Sequence, residues 1–248
     1  FLSQPSDSYF NGWGMHKNYL VYESEVTGGT PPAQQSLIRS TAHAAYTANT
    51  WNRMMQYDIE YIPTNSFEAT AGEATANALT LAGFIGWAKN EEPNLQVGIY
   101  SMVPMTDIWA YQDAGTNAAW KAWNDMLQPL ADSLMVLCPS IYCYYNDTTH
   151  YKGYATAMVQ EAKRLAPGKK IYAYVSPQYH PAGDMDGQYV SAAYFAVVLR
   201  KIKDGGADGV SIWGGNGAMG GSSSTWDSTL GWWTSTKAFL ASSGAARI

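Results

Sequence analysis

The residues best suited to chemistry in this chain are two carboxylates two positions apart, Asp58 and Glu60. They lie in an apolar stretch that predicts a buried strand over residues 54–62. Side chains at i and i+2 point to the same side of a strand, so the two carboxyl groups are predicted to be close neighbours. Because two adjacent carboxylates do not ionise easily, one pKa is predicted to rise, leaving an acid near neutral pH. The alternative is an acidic pair on a solvated strand end.

A carboxyl group with a raised pKa can protonate the leaving group of a glycosidic bond. Ordinary glycosidases hold two carboxyl groups about 5–9.5 Å apart on either side of the sugar, which neighbours on one strand cannot do. Either another loop supplies a second carboxylate, or the 2-acetamido group of the substrate is the nucleophile. The candidates for a second carboxylate are Asp107, Asp113, Asp184 and Asp186.

Six strand-like segments alternate with helical segments, which predicts a parallel sheet covered by helices. The strands are predicted at residues 18–23, 54–62, 95–103, 134–142, 170–176 and 209–214. The helices are predicted at residues 33–50, 67–90, 118–133, 151–166, 189–203 and 228–242. Thr64, Asn65 and Ser66 are candidate N-caps, Pro129 is predicted to break its helix, and Gly205-Gly206 to end one.

This alternation predicts a single-domain (β/α) TIM-like barrel over residues 1–248, distorted and with seven or eight strands. An open doubly wound sheet is the alternative, but the Gly-rich phosphate turn that usually follows its first strand is missing from the sequence. The Gly-rich segment 214–225 follows the sixth strand, where the active-site loops of barrels lie. The chain begins at Phe1 rather than Met, which predicts a processed or incomplete N-terminus.

Composition narrows the class of function. The 248 residues are 46% hydrophobic and only 14% charged, which excludes a disordered or coiled-coil chain. A net charge of −5 without a basic stripe argues against a nucleic-acid partner, and the apolar runs are too short to predict a membrane span. The 10 Trp and 18 Tyr suit a cleft that binds sugar rings, and with so few charges they favour an extracellular protein acting on glycans.

Cysteine and histidine give weaker signals. Cys138 and Cys143 are the only cysteines, and their spacing allows either a short disulfide or two thiols. The four histidines have no metal-ligand spacing, so neither a metal nor a cofactor is predicted. His180 follows a strand, where a role in a cleft is conceivable, although packing is the more common role.

Six short motifs run in the order in which hyaluronidase-like glycosidases carry theirs. They are Gly28-Gly29-Thr30-Pro31, Asp58-Ile59-Glu60, Gly98-Ile99-Tyr100, Pro139-Ser140-Ile141-Tyr142, Ile171-Tyr172-Ala173-Tyr174 and Gly209-Val210-Ser211-Ile212-Trp213-Gly214. The chain therefore resembles this family of (β/α)-barrel enzymes over residues 28–214. The family follows its Asp-x-Glu with Glu-Trp-Arg-Pro, whereas this chain continues Tyr61-Ile62-Pro63, and the lost Arg argues against a polyanionic substrate.

The resemblance implies a secreted, retaining endo-N-acetylhexosaminidase whose partner is a polysaccharide or oligosaccharide substrate. It implies that Glu60 is the acid/base and that Asp58 orients and stabilises the acetamido group. Tyr142 would hydrogen-bond the acetamido carbonyl. The other substrate-binding candidates are Tyr100, Trp213, Tyr61, Asp107 and Tyr174.

Two other functions compete with this one. A muramidase-type cell-wall hydrolase also carries an Asp-x-Glu strand on a β/α barrel, but the first and fourth motifs argue against it. A catalytically silent glycan-binding barrel is the third hypothesis, and the intact carboxylate pair argues against it. The oligomeric state is left open by the sequence.

Overall fold

The computed structural model describes residues 5–183, 185, 187–214 and 226–242, and within them strands alternate with helices as predicted. The strands are β1 Tyr19–Tyr22, β2 Met54–Asp58, β3 Gln96–Ile99, β4 Val136–Leu137, β5 Lys170–Val175 and β6 Gly209–Ile212. The helices are α1 Asp7–Asn11, α2 Glu23–Thr27, α3 Gln35–Ala48, α4 Ala71–Glu91, α5 Ala114–Met126, α6 Gln128–Ser133, α7 Thr148–Leu165, α8 Ala192–Gly205 and α9 Gly231–Ser242. The predicted α/β class is confirmed.

The chain divides into two compact units, each built from separate stretches of sequence. The larger unit comprises Asn18–Ser140 and Ala157–Tyr172. The smaller unit comprises the described residues within Phe1–Lys17, Ile141–Thr156 and Ala173–Ile248. The single domain expected from the sequence stays a prediction.

Parallel strands form the centre of the larger unit. Strands β1, β2 and β3 are hydrogen-bonded in that order, and β4 pairs in parallel with the first residues of β5. An isolated parallel bridge between Tyr100 and Cys138 continues the pairing just beyond β3 and β4. Strands β1 to β4 therefore end at the same edge of the unit, and the residues of this unit that follow them are brought together there.

Strand β2 is shorter than predicted, and its neighbours explain why. Its first four residues are buried, as expected for a parallel strand covered on both faces. Its last partner on β1 is Tyr22, after which the chain turns into α2. On the other side the backbone has a positive φ of 61° at Ser101, soon after β3 ends. Residues 59–62 thus have no ladder to join, and the predicted strand over 54–62 ends at Asp58.

The helix signals were met in part. As predicted, Pro129 marks a break, because α5 ends at Met126 and α6 begins at Gln128 with the proline in its first turn. Gly206 ends α8 in the left-handed conformation with φ 87°. The predicted caps over residues 64–66 are wrong, since α4 begins later, where Thr70 accepts from the backbone N–H of Glu73.

In the smaller unit, α8 packs against α9, and an aromatic cluster surrounds the start of α9. Its rings belong to Tyr9, Phe10, Trp13, Trp226, Trp232 and Trp233. Strand β6 leads to Trp213, whose backbone N–H donates to the Val175 carbonyl at 2.9 Å. Many of the aromatic residues counted in the sequence therefore serve packing.

Asp184, Asp186 and residues 215–225 of the Gly-rich segment lie outside the described residues. Of the helices that the structure describes, none combines the length and apolarity that crossing a membrane requires.

Candidate active site

Asp58 is the last residue of β2 and lies where the buried strand meets solvent. Its side chain is half-buried, and within the described part of the chain its buried Oδ1 atom has no hydrogen-bond partner. Burial raises the pKa of Asp58 to about 6, and the negative charges of Glu60 and Glu23 add to the effect. The raised pKa predicted for one member of the acidic pair is thus found at Asp58.

Glu60 lies beyond the end of β2 and is exposed. The expectation that both carboxylates belong to one buried strand is therefore wrong, because the residues that pair with β2 end at Tyr22 and Ile99. The chain between them still brings their charges close enough to raise the Asp58 pKa. Asp58 and Glu60 thus combine a shielded carboxyl group with one open to solvent.

A third carboxylate, which sequence reasoning missed, completes this group. The Oε2 atom of Glu23, the first residue of α2, accepts from the backbone N–H of Glu60 at 3.1 Å and of Tyr61 at 2.9 Å. Glu23 follows β1, the strand paired with β2. An acid directly after a neighbouring parallel strand was the signal in the sequence that could have identified it.

Tyr61 is held at both its backbone and its side chain. Its hydroxyl oxygen accepts from the backbone N–H of Ala33 at 2.7 Å. Burial is the main cause that raises the pKa of Tyr61. This hydroxyl already has a structural partner, and the substrate contact predicted for Tyr61 stays a prediction.

Tyr100 follows β3 directly and is half-buried. Its hydroxyl lies 3.3 Å from the hydroxyl of Ser140. The backbone N–H of Tyr100 donates to the Tyr57 carbonyl at 2.8 Å, one residue before Asp58. Tyr100 and Asp58 therefore leave adjacent strands at the same edge of the larger unit, and the substrate contact predicted for Tyr100 stays a prediction.

The two candidate nucleophiles that follow β3 have structural partners. The Oδ1 atom of Asp107 accepts from the backbone N–H groups of Trp109 and Ala110 at 2.8 and 3.0 Å, which fixes a turn. Asp113 caps the N-terminus of α5 by accepting from the N–H of Thr116 at 2.8 Å. The Thr116 hydroxyl lowers the pKa of Asp113. These contacts make both residues poor candidates for an attacking carboxylate, although the binding role predicted for Asp107 stays a prediction.

The remaining predicted site residues lie in the smaller unit. The ring of Tyr142 stacks on that of Trp213, with centroids 6.5 Å apart and planes at 29°. The ring of His180 lies 6.1 Å from Tyr142 and 4.4 Å from Tyr144. Tyr174 is buried, and its carbonyl accepts from the N–H of Ile141 at 2.9 Å. Three predicted aromatics thus belong to this unit, and His180 joins two of its tyrosine rings.

Cys138 and Cys143 are free thiols and both are buried, which decides between the two possibilities that their spacing allowed. The side-chain amide of Gln56 donates to the sulfur of Cys138 at 3.1 Å. Burial raises the pKa of Cys138 to about 12, so the group is a thiol at neutral pH. Among the described residues, no group of three or more His, Cys, Asp or Glu side chains could hold a metal ion.

Comparison with known proteins adds a relative. No family model matches the chain. Hyaluronidase of Apis mellifera is 34% identical to it over 134 residues, which make up 51% of this chain and 34% of that protein. The chain is similar to a hyaluronidase. The match spans about a third of the relative's length.

Solved structures extend the similarity to the fold. Bee venom hyaluronidase in complex with a hyaluronic acid tetramer matches with a TM-score of 0.60 at 19% identity, covering 81% of this chain and 79% of that one. A GH39 β-xylosidase from Caulobacter crescentus matches with a TM-score of 0.53 at 18% identity, covering 84% of this chain and 46% of that one. At these identities the likeness is one of fold. With the Apis mellifera sequence, it confirms the predicted resemblance to hyaluronidase-like glycosidases.

Proposed function

We propose that this protein is a retaining glycosidase that hydrolyses a polysaccharide containing N-acetylhexosamine, with Glu60 as acid/base and Asp58 as the group that stabilises the acetamido nucleophile. The observation that carries the proposal is the half-buried Asp58, which has a raised pKa and lies near the exposed Glu60. Among the described residues, its Oδ1 atom has no hydrogen-bond partner. Perturbed carboxyl groups of this kind concentrate at catalytic sites. The similarity to a hyaluronidase supplies the substrate class.

The acidic pair supports acid chemistry near neutral pH. Burial raises the pKa of Asp58 to about 6, so in the proposed mechanism Asp58 is ionised, and able to accept a hydrogen bond, above about pH 6. In the proposed mechanism the exposed Glu60 donates a proton to the glycosidic oxygen as the bond to the anomeric carbon breaks. The partly shielded Asp58 remains beside it to balance positive charge.

The contacts of two other candidate carboxylates, Asp107 and Asp113, favour the acetamido group as the nucleophile. Asp107 fixes a turn and Asp113 caps a helix, so an aspartyl attack from either would cost those contacts. In the proposed mechanism the acetamido oxygen of the substrate bonds to the anomeric carbon, and Asp58 accepts a hydrogen bond from the acetamido N–H. Water then attacks the anomeric carbon from the face that the leaving group occupied, and the bond between that carbon and the acetamido oxygen breaks. Glu60 takes the proton of that water.

The fold and location that belong to this function are part of the proposal. We propose that the parallel strands belong to a distorted (β/α) barrel, supported by the strand–helix alternation and the likeness to bee venom hyaluronidase. An extracellular location is supported by the low charge, the aromatic content and the similarity to a venom protein. An experimental structure and fractionation of the native protein would test these two points.

The direct test of function is a panel of polysaccharides with and without N-acetylhexosamine, followed by mass spectrometry of the products. We expect cleavage of an acetylated polymer and none of the non-acetylated ones. Turnover of a non-acetylated polymer would refute the acetamido nucleophile. Cleavage confined to bacterial cell wall would favour the muramidase, and binding without turnover the silent barrel.

A thiazoline inhibitor tests the mechanism more closely, because it mimics the cyclic intermediate and should bind far more tightly than substrate. If the Tyr142 hydroxyl bonds the acetamido carbonyl, Tyr142→Phe should weaken inhibitor binding by about 0.5–1.5 kcal/mol. Tyr46→Phe is the matched control, since Tyr46 lies on α3 and its ring packs under the guanidinium group of Arg53. Equal affinities for all three proteins would remove Tyr142 from the proposed site.

A further inference from the structure

The segment between β1 and α3 folds back on itself. Gly28 and Gly29 adopt positive φ values of 67° and 93°, which favour glycine. The backbone N–H of Gln34 donates to the Val26 carbonyl at 2.7 Å, and its side-chain amide donates to the Thr27 carbonyl at 2.9 Å. The Gly-Gly-x-Pro motif thus forms part of a loop that is closed by its own hydrogen bonds.

Residues 23–34, between β1 and α3, are hydrogen-bonded to residues 60 and 61 at two points. At the start of this segment, Glu23 accepts from the backbone N–H groups of Glu60 and Tyr61. Near its end, the N–H of Ala33 donates to the hydroxyl oxygen of Tyr61. The peptide that carries Glu60 is therefore fixed by a segment 37 residues earlier in the chain.

The ties are placed where the sheet stops providing support. The last partner of β2 on β1 is Tyr22, opposite Asp58, so the N–H groups of residues 60 and 61 lie beyond the ladder. A carboxylate is a stronger acceptor than a neutral group, and one oxygen here accepts two N–H groups. The same carboxylate adds negative charge near Asp58, which an arrangement built for stability alone would avoid.

We propose that Glu23 is a positioning residue of the Asp58–Glu60 centre: its carboxylate holds the peptide that carries Glu60 and keeps a negative charge beside Asp58. This inference rests on the proposed function for its catalytic meaning, but the contact itself does not. Glu23 need not touch the substrate. It acts by accepting a hydrogen bond from the backbone of Glu60 and by placing its negative charge near Asp58.

Amide hydrogen exchange tests the contact without reference to activity. In Glu23→Ala the amides of Glu60 and Tyr61 should exchange roughly tenfold to a hundredfold faster than in the unmodified protein, because they lose a charged acceptor. Glu25→Gln is the matched control: Glu25 also lies in α2, but it accepts from the backbone N–H of Tyr22 at 2.8 Å. Unchanged exchange at both amides in Glu23→Ala would overturn the proposal.

The second readout is the pH profile of kcat/KM on the best substrate of the panel. Glu23→Gln keeps an acceptor oxygen but removes the charge, and the charges that raise the Asp58 pKa are those of Glu60 and Glu23. Its acid limb should therefore move to lower pH, while that of Glu25→Gln stays in place. Glu23→Ala should lower kcat about tenfold to a hundredfold with little change in KM, because Glu60 is misplaced.

The two readouts separate the two proposals. Faster exchange in Glu23→Ala, in a protein that cleaves no polymer of the panel, would support the positioning contact while refuting the glycosidase function. An active enzyme whose acid limb and kcat are the same in Glu23→Gln, Glu23→Ala and the unmodified protein would refute the positioning role alone. A lower melting temperature with no change in exchange or pH profile would also refute it, since that is the result of a purely structural contact.

Discussion

Two carboxyl groups in the larger unit, those of Glu161 and Asp58, have opposite electrostatic surroundings. Glu161 on α7 is 1% exposed, yet it is fully paired: Arg164 donates to its two oxygens at 2.8 and 2.7 Å, and the amide of Asn124 donates at 3.1 Å. Asp58 is only half-buried, yet one oxygen has no partner among the described residues and its charged neighbours are negative. A carboxylate that serves the fold is neutralised, whereas one left uncompensated is available for chemistry.

The pairing around Glu161 reaches beyond one helix. Arg164 also bonds Asp125 at 2.7 Å, and these two acids raise the pKa of its guanidinium group. Asn124 accepts from the backbone N–H of Met105 at 2.8 Å, in the loop that follows β3. Glu161 therefore ties α7 to α5 and to that loop, and its removal should be felt as a loss of stability.

The largest effect expected is on catalysis at the uncompensated centre. Glu60→Gln removes the proposed acid/base and should lower kcat by roughly 10²–10⁴-fold, while leaving the melting temperature nearly unchanged because Glu60 is exposed. If Glu161 contributes only to stability, Glu161→Gln should keep the kcat of the unmodified protein per folded molecule. Initial rates on the best polymer of the panel measure both, and a Glu60→Gln enzyme of normal rate would remove Glu60 from the mechanism.

The next effect is on stability at the paired centre. Glu161→Ala leaves the guanidinium of Arg164 and the buried amide of Asn124 without their acceptor, and should lower the free energy of unfolding by about 2–4 kcal/mol. Urea unfolding followed by circular dichroism gives this value. A loss as small as that of a surface substitution would show that the network contributes little, and the contrast with Asp58 would fail.

A smaller effect of opposite sign is expected at Asp58. Its folded pKa is about 6, above the unfolded value, so the native state binds the extra proton and stability falls as the pH rises between about 4 and 6. Asp58→Asn carries no charge and should raise the free energy of unfolding at pH 7.5 by about 1–2 kcal/mol, allowing for solvent screening of a half-buried group. The gain should vanish near pH 4. Unfolding curves at both pH values check this, and a destabilised variant at pH 7.5 would contradict it.

The sequence predicted the order of the elements better than their ends. Apolar Ile59 and Ile62 continue the pattern of β2, but a strand lasts only as long as its partners, and Tyr22 and Ile99 end theirs. Partner lengths are set by residues distant in the chain, so local pattern could not reveal the early end. The cap of α4 is different, because Thr70 and Glu73 fit the capping-box pattern, which is local and can be recognised in the sequence.

The candidate site divides in the same way. A raised pKa in the acidic pair was predicted from the spacing of Asp58 and Glu60, which is local information, but burial is its larger cause at Asp58. The role of Glu23 was not predicted, because it depends on a contact with Glu60 formed across 37 positions. The turn fixed by Asp107 and the cap formed by Asp113 are local hydrogen bonds, but only the structure shows that these carboxylates already have such partners.

The most direct test of the account is a pH titration of the Asp58 carboxyl carbon by NMR, assigned with Asp58→Asn. We expect a midpoint near pH 6 for Asp58. Asp113 provides an internal comparison, since its hydrogen bonds to Thr116 hold its pKa below the ordinary range. An Asp58 midpoint below about 4.5, close to that of an ordinary aspartate, would contradict the claim that this strand end holds an uncompensated, catalytically useful carboxyl group.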